Sequence, residues 1–149
     1  MKKLVVLVLF SSLLFSSEYL LKKGEKLLFG FKTKSGKIVT LALGPKKSYL
    51  VYRFGKKNRV EFEYPKDKNN SFSKFTYYHY MRPSLGKTNA GEDLSHLYFS
   101  NKGYIYDIYE EYYDEDNSYN LGIIVCKGKK RVAKIKGKVK REACLILKI

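Results

Sequence analysis

Tryptophan is absent from this 149-residue chain, cysteine, histidine and methionine occur twice each, and proline three times. Two cysteines exclude a disulfide-dense scaffold and a four-thiolate zinc site. The two histidines show no ligand-like spacing, so no metal motif is legible. There is no Gly-x-Ser-x-Gly elbow and no phosphate-cradling glycine loop, and neither cysteine has a histidine beside it. No nucleophile, metal or cofactor is therefore assigned. Acid is scarce as well: 14 Asp and Glu stand against 30 Lys and Arg, a formal +16. Beyond the N-terminus no apolar run approaches the roughly 20 residues of a membrane-spanning helix.

Aromatic residues are plentiful, 14 Tyr and 9 Phe in a chain that is 44% hydrophobic. That composition excludes disorder and leans towards strands, and the length suits one domain. The N-terminus runs Met1-Lys2-Lys3, then apolar residues to Phe15, then Ser16-Ser17. A basic start, a short apolar core and a small-residue exit form a secretory signal, with cleavage expected near Ser16 or Ser17. Residues 1–17 are thus read as signal peptide and 18–149 as the mature domain, periplasmic or secreted. Its charge, two lysines fewer, is still +14.

From Glu25 onward apolar residues recur with period two. Val60-Glu61-Phe62-Glu63-Tyr64 alternates cleanly, and Leu121, Ile123 and Val125 share one face, as do Tyr104, Tyr106 and Ile108 opposite Asp107 and Glu111. Turn signals such as Ser35-Gly36 and Asn101-Lys102-Gly103 fall between the runs. The spacing predicts an all-β antiparallel meander of eight or nine strands, near 25–33, 37–43, 47–54, 58–64, 73–81, 95–100, 103–112, 120–127 and 131–136, with an apolar tail at 143–147. Such a meander closes into a small barrel or a sandwich. Two longer loops, 65–71 and 82–93, interrupt it.

Several residues are candidates for function. The 82–93 loop carries Arg82, Pro83 and Lys87, and the strand before it exposes Tyr78 and Tyr80, rigid contact area of the kind interfaces use. Lys129, Lys130, Arg131, Lys134 and Lys136 belong to a stretch of fifteen residues without acid, 127–141. Such a patch suits an anionic envelope component or an acidic protein surface. Nucleic acid is disfavoured, because export separates the chain from it and Lys outnumbers Arg 25 to 5, whereas forked phosphate and base recognition favours Arg. A plain solvated hairpin is the alternative. His79 and His96 lie in neighbouring strands with Glu92 and Asp93 near, which suggests an acid–base pair or two ordinary surface histidines. Glu61 and Glu63 read as the wet side of an amphipathic strand. Cys126 and Cys144, in an oxidising compartment, suggest a bridge worth roughly 3 kcal/mol, against two unpaired thiols. Asp67-Lys68-Asn69-Asn70-Ser71 resembles an extended bacterial N-glycosylation acceptor, with Asn69 as the modified residue.

The segments Phe29-Gly30-Phe31-Lys32-Thr33-Lys34-Ser35-Gly36-Lys37, Tyr52-Arg53-Phe54-Gly55, Val60-Glu61-Phe62-Glu63-Tyr64-Pro65, Leu97-Tyr98-Phe99-Ser100-Asn101 and Gly103-Tyr104-Ile105-Tyr106-Asp107-Ile108-Tyr109 resemble a family of uncharacterised exported β-rich proteins of Gram-negative bacteria. That family often has Cys where this chain has Gly30 and Ala42, so its disulfides do not carry over. The format is also similar to the small periplasmic lysozyme inhibitors, without their inhibitory loop. The function expected is a non-enzymatic envelope protein that binds a macromolecular partner, inhibitor- or immunity-like. The alternatives are a small envelope-polymer hydrolase using His79 and His96 with a carboxylate, and a structural envelope protein held by electrostatics.

Overall fold

The computed structural model describes residues 18–86 and 89–139. The expected signal peptide, Lys87, Cys144 and the 143–147 tail lie outside them. The described chain is all-β, and none of its helices is long and apolar enough to cross a membrane. Its strands are β1 (Lys26–Lys32), β2 (Ile38–Leu43), β3 (Leu50–Lys56), β4 (Arg59–Tyr64), β5 (Thr76–Arg82), β6 (Glu92–Asn101), β7 (Tyr104–Tyr113), β8 (Ser118–Lys127) and β9 (Lys130–Lys136). They form two antiparallel sheets, β1-β2-β3-β4 and β5-β6-β7-β8-β9, each in chain order.

Period-two patterning places Phe29, Phe31, Leu41, Tyr52, Leu97, Phe99, Ile108 and Ile123 between the sheets. Aromatic stacking bridges the two layers: Tyr64 lies 4.4 Å from Phe99, and Phe62 lies 5.4 Å from Tyr106, both pairs nearly parallel. The β6–β7 turn places Lys102 and Gly103 at φ 51° and 78°. Two consecutive left-handed residues match the twist of a two-residue hairpin, and glycine takes the second position without strain.

The sheets join along one seam. Thr33 bridges to Gly137, the Lys34 N–H donates to the Lys136 carbonyl at 3.0 Å, and the Lys138 N–H to that of Lys32 at 2.6 Å. No such bridge links β4 to β5, where Phe75 packs against Tyr64 and Phe99 instead. The expected barrel-or-sandwich is a sandwich with one stitched edge.

Two boundaries differ from the sequence expectation. Ser71–Lys74 forms a 3₁₀ turn, so β5 begins at Thr76. β6 begins at Glu92, because Arg82 pairs with Glu92 and Met81 with Asp93. The loop is therefore 83–91.

The outer face of the four-stranded sheet is not wet. All six residues of β2 are buried, because residues 18–25 cross that face as a strap. The Leu20 N–H donates to Thr40 Oγ1 at 3.0 Å. Tyr19 lies so close over Gly30 that a Cβ there would sit 2.6 Å from its ring. Arg53, fully buried, latches the strap: its guanidinium forks onto Glu25 at 2.5 and 2.7 Å and reaches Glu63 at 2.5 Å and the Leu20 carbonyl at 2.9 Å. Glu61 is exposed and pairs with Lys37, but Glu63 belongs to the latch, which corrects its reading as a solvent-side residue.

Candidate functional site

On the outer face of the five-stranded sheet Tyr78, Tyr80, Lys134 and Lys136 are exposed. Side chains alternate across a strand and stand opposite their register partners, so the pairings Tyr78–His96, His96–Tyr109, Tyr109–Gly122 and Gly122–Lys136 draw one transverse row from β5 to β9. Tyr98, two residues beyond His96, stacks on its ring at 5.8 Å, and Tyr78 and Tyr109 approach it at 6.4 and 6.3 Å. Asp107 accepts at 3.0 Å from His96 Nδ1, and Glu111 stands 3.6 Å from Nε2. The Asp107 hydrogen bond, only partly offset by burial, raises the His96 pKa above its ordinary 6.5.

Gly122 gives the row its shape. A Cβ there would lie 2.4 Å from the Ile135 carbonyl and 2.8 Å from the Tyr109 hydroxyl. Glycine thus lets the Tyr109 ring lie down over β8, and Lys134 Nζ sits 5.7 Å from that ring. At the far edge Tyr78 and Tyr80 are 51% and 39% exposed. One face therefore grades from exposed tyrosines, through a carboxylate–imidazole centre, to a basic edge.

The predicted binding residues fall into separate groups. Tyr78, Tyr80 and Arg82 lie on β5 and Lys134 and Lys136 on β9, opposite edges of the sheet and roughly 19 Å apart. Arg82 is engaged at the hairpin base, donating to Glu92 at 2.8 Å and to the Ala90 carbonyl at 3.1 Å; Pro83 follows it, exposed. Lys129, Lys130 and Arg131 sit at the β8–β9 turn, while Lys136 reaches the seam at the other end of β9. A single ligand of small size does not span these groups.

His79 and His96 do not meet. Their neighbouring register positions turn them to opposite faces of the sheet. His79 stacks with Tyr77 at 6.3 Å and bonds Asp93 at 2.9 Å. On the side of the sheet towards the core, burial raises the pKa of Glu110, which takes a hydrogen bond from Tyr119. Among the described residues no three His, Cys, Asp or Glu are grouped to hold a metal ion.

Cys126 is half-buried on the outer face of β8, opposite Ile105 and Arg131; its expected partner Cys144 lies outside the described residues. Asn69 is exposed in a turn closed by its own N–H donating to Asp67. The Ser71 hydroxyl of the same acceptor sequence is buried and accepts the Leu50 N–H at 2.9 Å.

Sequence reasoning missed the latch and the His96 cage. The nearly continuous apolar run of β2, interrupted only by Thr40, was the available signal for a sheet covered on both faces. Nothing in the sequence announces that Tyr78, Tyr98 and Tyr109 share one imidazole, because that requires the register. No family model, curated protein or solved structure matches the chain.

Proposed function

We propose that this is an exported, non-enzymatic β-sandwich that binds a macromolecular partner in the cell envelope through the outer face of its five-stranded sheet. The asymmetry between the two outer faces carries the reading. One is roofed by the 18–25 strap, whereas the other keeps Tyr78, Tyr80 and a lysine edge in solvent. Large tyrosines that stay exposed cost solubility and supply contact area with little side-chain entropy to lose. The basic edge adds attraction for an anionic partner and speeds encounter. Export fits the strap, since cleavage near Ser16 or Ser17 leaves Tyr19, Leu20 and Glu25 in place to cover β2. A Cys126–Cys144 bridge would then pin the C-terminal segment to β8.

The test uses the exported chain as bait in an envelope extract, beside a Tyr78→Ala/Tyr80→Ala variant and a Lys56→Gln/Lys57→Gln control on the other sheet. Capture of a defined component that is lost with the tyrosine pair and kept with the control is the expected result. Equal capture by all three proteins overturns the assignment of this face.

A further inference from the structure

At the seam, beside this sheet face, Lys34, Lys134 and Lys136 line a groove of about 380 Å³ together with Glu111, Asn120 and Val139. We infer that this groove binds a phosphorylated sugar, whether free or carried on a lipid headgroup. The inference rests on the reading of this sheet as the binding face and names the ligand chemistry at its basic edge.

Backbone geometry brings the three cations together. Lys34 belongs to the β1–β2 turn and Lys136 to the end of β9, 102 residues later in the chain, yet the Lys34 N–H donates to the Lys136 carbonyl at 3.0 Å. Lys134, two residues back on the same face, projects over the Tyr109 ring. None of the three has a carboxylate within ion-pair distance among the described residues, although six other lysine and arginine side chains do. Three ammonium groups less the Glu111 carboxylate leave a formal +2 in the groove. A phosphomonoester carries about −1.5 to −2 near neutral pH, which matches that charge. Lysines act on phosphate as point charges and need no forked geometry.

The remaining walls argue for more than a bare phosphate. The groove is much larger than that ion and lies in the size range of small-molecule sites. Asn120 offers a donor and an acceptor, Glu111 an acceptor for hydroxyls, and Val139 an apolar wall, a set that suits a sugar ring next to the anion.

The test titrates the full exported chain with glucose 6-phosphate and with glucose, and measures its retention by phosphatidylcholine vesicles with and without monophosphoryl lipid A, a lipid whose glucosamine carries a phosphomonoester. A Lys134→Gln/Lys136→Gln variant is compared with Lys129→Gln/Lys130→Gln, which removes the same charge at the other end of β9. Saturable binding of glucose 6-phosphate but not glucose, weakened about tenfold or more by the first pair and little by the second, supports the groove and a free ligand. Retention only by vesicles with monophosphoryl lipid A, with the same variant pattern, supports the groove and a lipid-borne ligand. Equal weakening by both pairs, or binding of neither probe, overturns the inference. Envelope capture through Tyr78 and Tyr80 is read separately, so its failure is distinguishable from this one.

Discussion

Ser71 shows how one side chain serves a different end from the motif that contains it. In the sequence it completes an Asn-x-Ser acceptor; in the fold its hydroxyl is buried and accepts the N–H that opens β3. A buried N–H deprived of its only acceptor loses more than the bond, because it cannot recover water. Ser71→Ala is therefore expected to destabilise the domain by about 1–3 kcal/mol, read as a lower urea midpoint with an unchanged slope. A midpoint equal to that of the parent chain would mean that the Leu50 N–H finds another partner. The same bond bears on modification, since a transferase that needs Ser71 in extended form must first open this turn.

At the scale of elements, the 18–25 strap and β2–β4 depend on the Arg53 latch. Glu25 has no exposed side-chain surface, and its two oxygens are shared among Arg53, the Lys22 N–H and Tyr49. Removing the guanidinium leaves that carboxylate buried without a counter-charge and leaves the Leu20 carbonyl without its donor. Arg53→Met is thus expected to cost about 3–5 kcal/mol, and limited proteolysis should then cut near residues 18–25 first. A variant that stays protease-resistant with near-parent stability would show that packing of Leu20 and Tyr19 alone holds the strap. The nine described strands were legible in the sequence, because most of them turn one side to the core and period two records that directly. In Val60-Glu61-Phe62-Glu63-Tyr64 the alternation was right for Phe62 and Tyr64, which pack against the core, but not for Val60, which stays 43% exposed where the β3–β4 register shifts at Gly55. The cover over β2 was not read, since alternation describes the strand and not what roofs it. The His96 centre was out of reach for a related reason: its aromatic partners come from β5, β6 and β7, and only the register aligns them. Conversely, His79 and His96 looked like a pair along the sequence, but the two-residue repeat turns them to opposite faces.

Over the whole molecule, the buried and caged titratable groups predict how stability changes with pH. Burial by itself would raise the Glu63 carboxyl, but Lys68, Arg53 and Lys22 outweigh it and hold it at about 2. Burial likewise opposes the Arg53 and Lys22 hydrogen bonds at Glu25, whose pKa is nevertheless lowered. Groups depressed on folding contribute stability that is complete above their ordinary value of 4.5 and lost as pH falls towards the folded value. His96 has the opposite sign. Its pKa is raised by Asp107, so its contribution is complete below 6.5 and lost as pH rises through the higher folded value. Glu110, raised by burial, adds to the decline above 4.5, because the unfolded chain ionises it more readily. Stability is therefore expected to be greatest in mildly acidic solution, falling on the acid side through the latch and towards neutral and alkaline pH through His96 and Glu110. Urea midpoints measured across pH on the parent chain, Glu63→Gln and His96→Gln separate the two limbs. Glu63→Gln should flatten the acid limb and leave the other slope alone, whereas His96→Gln should flatten the fall above 6.5. If His96→Gln keeps the parent's decline there, the Asp107–His96–Glu111 centre is not what couples protonation to folding, and Glu110 is left as the group responsible.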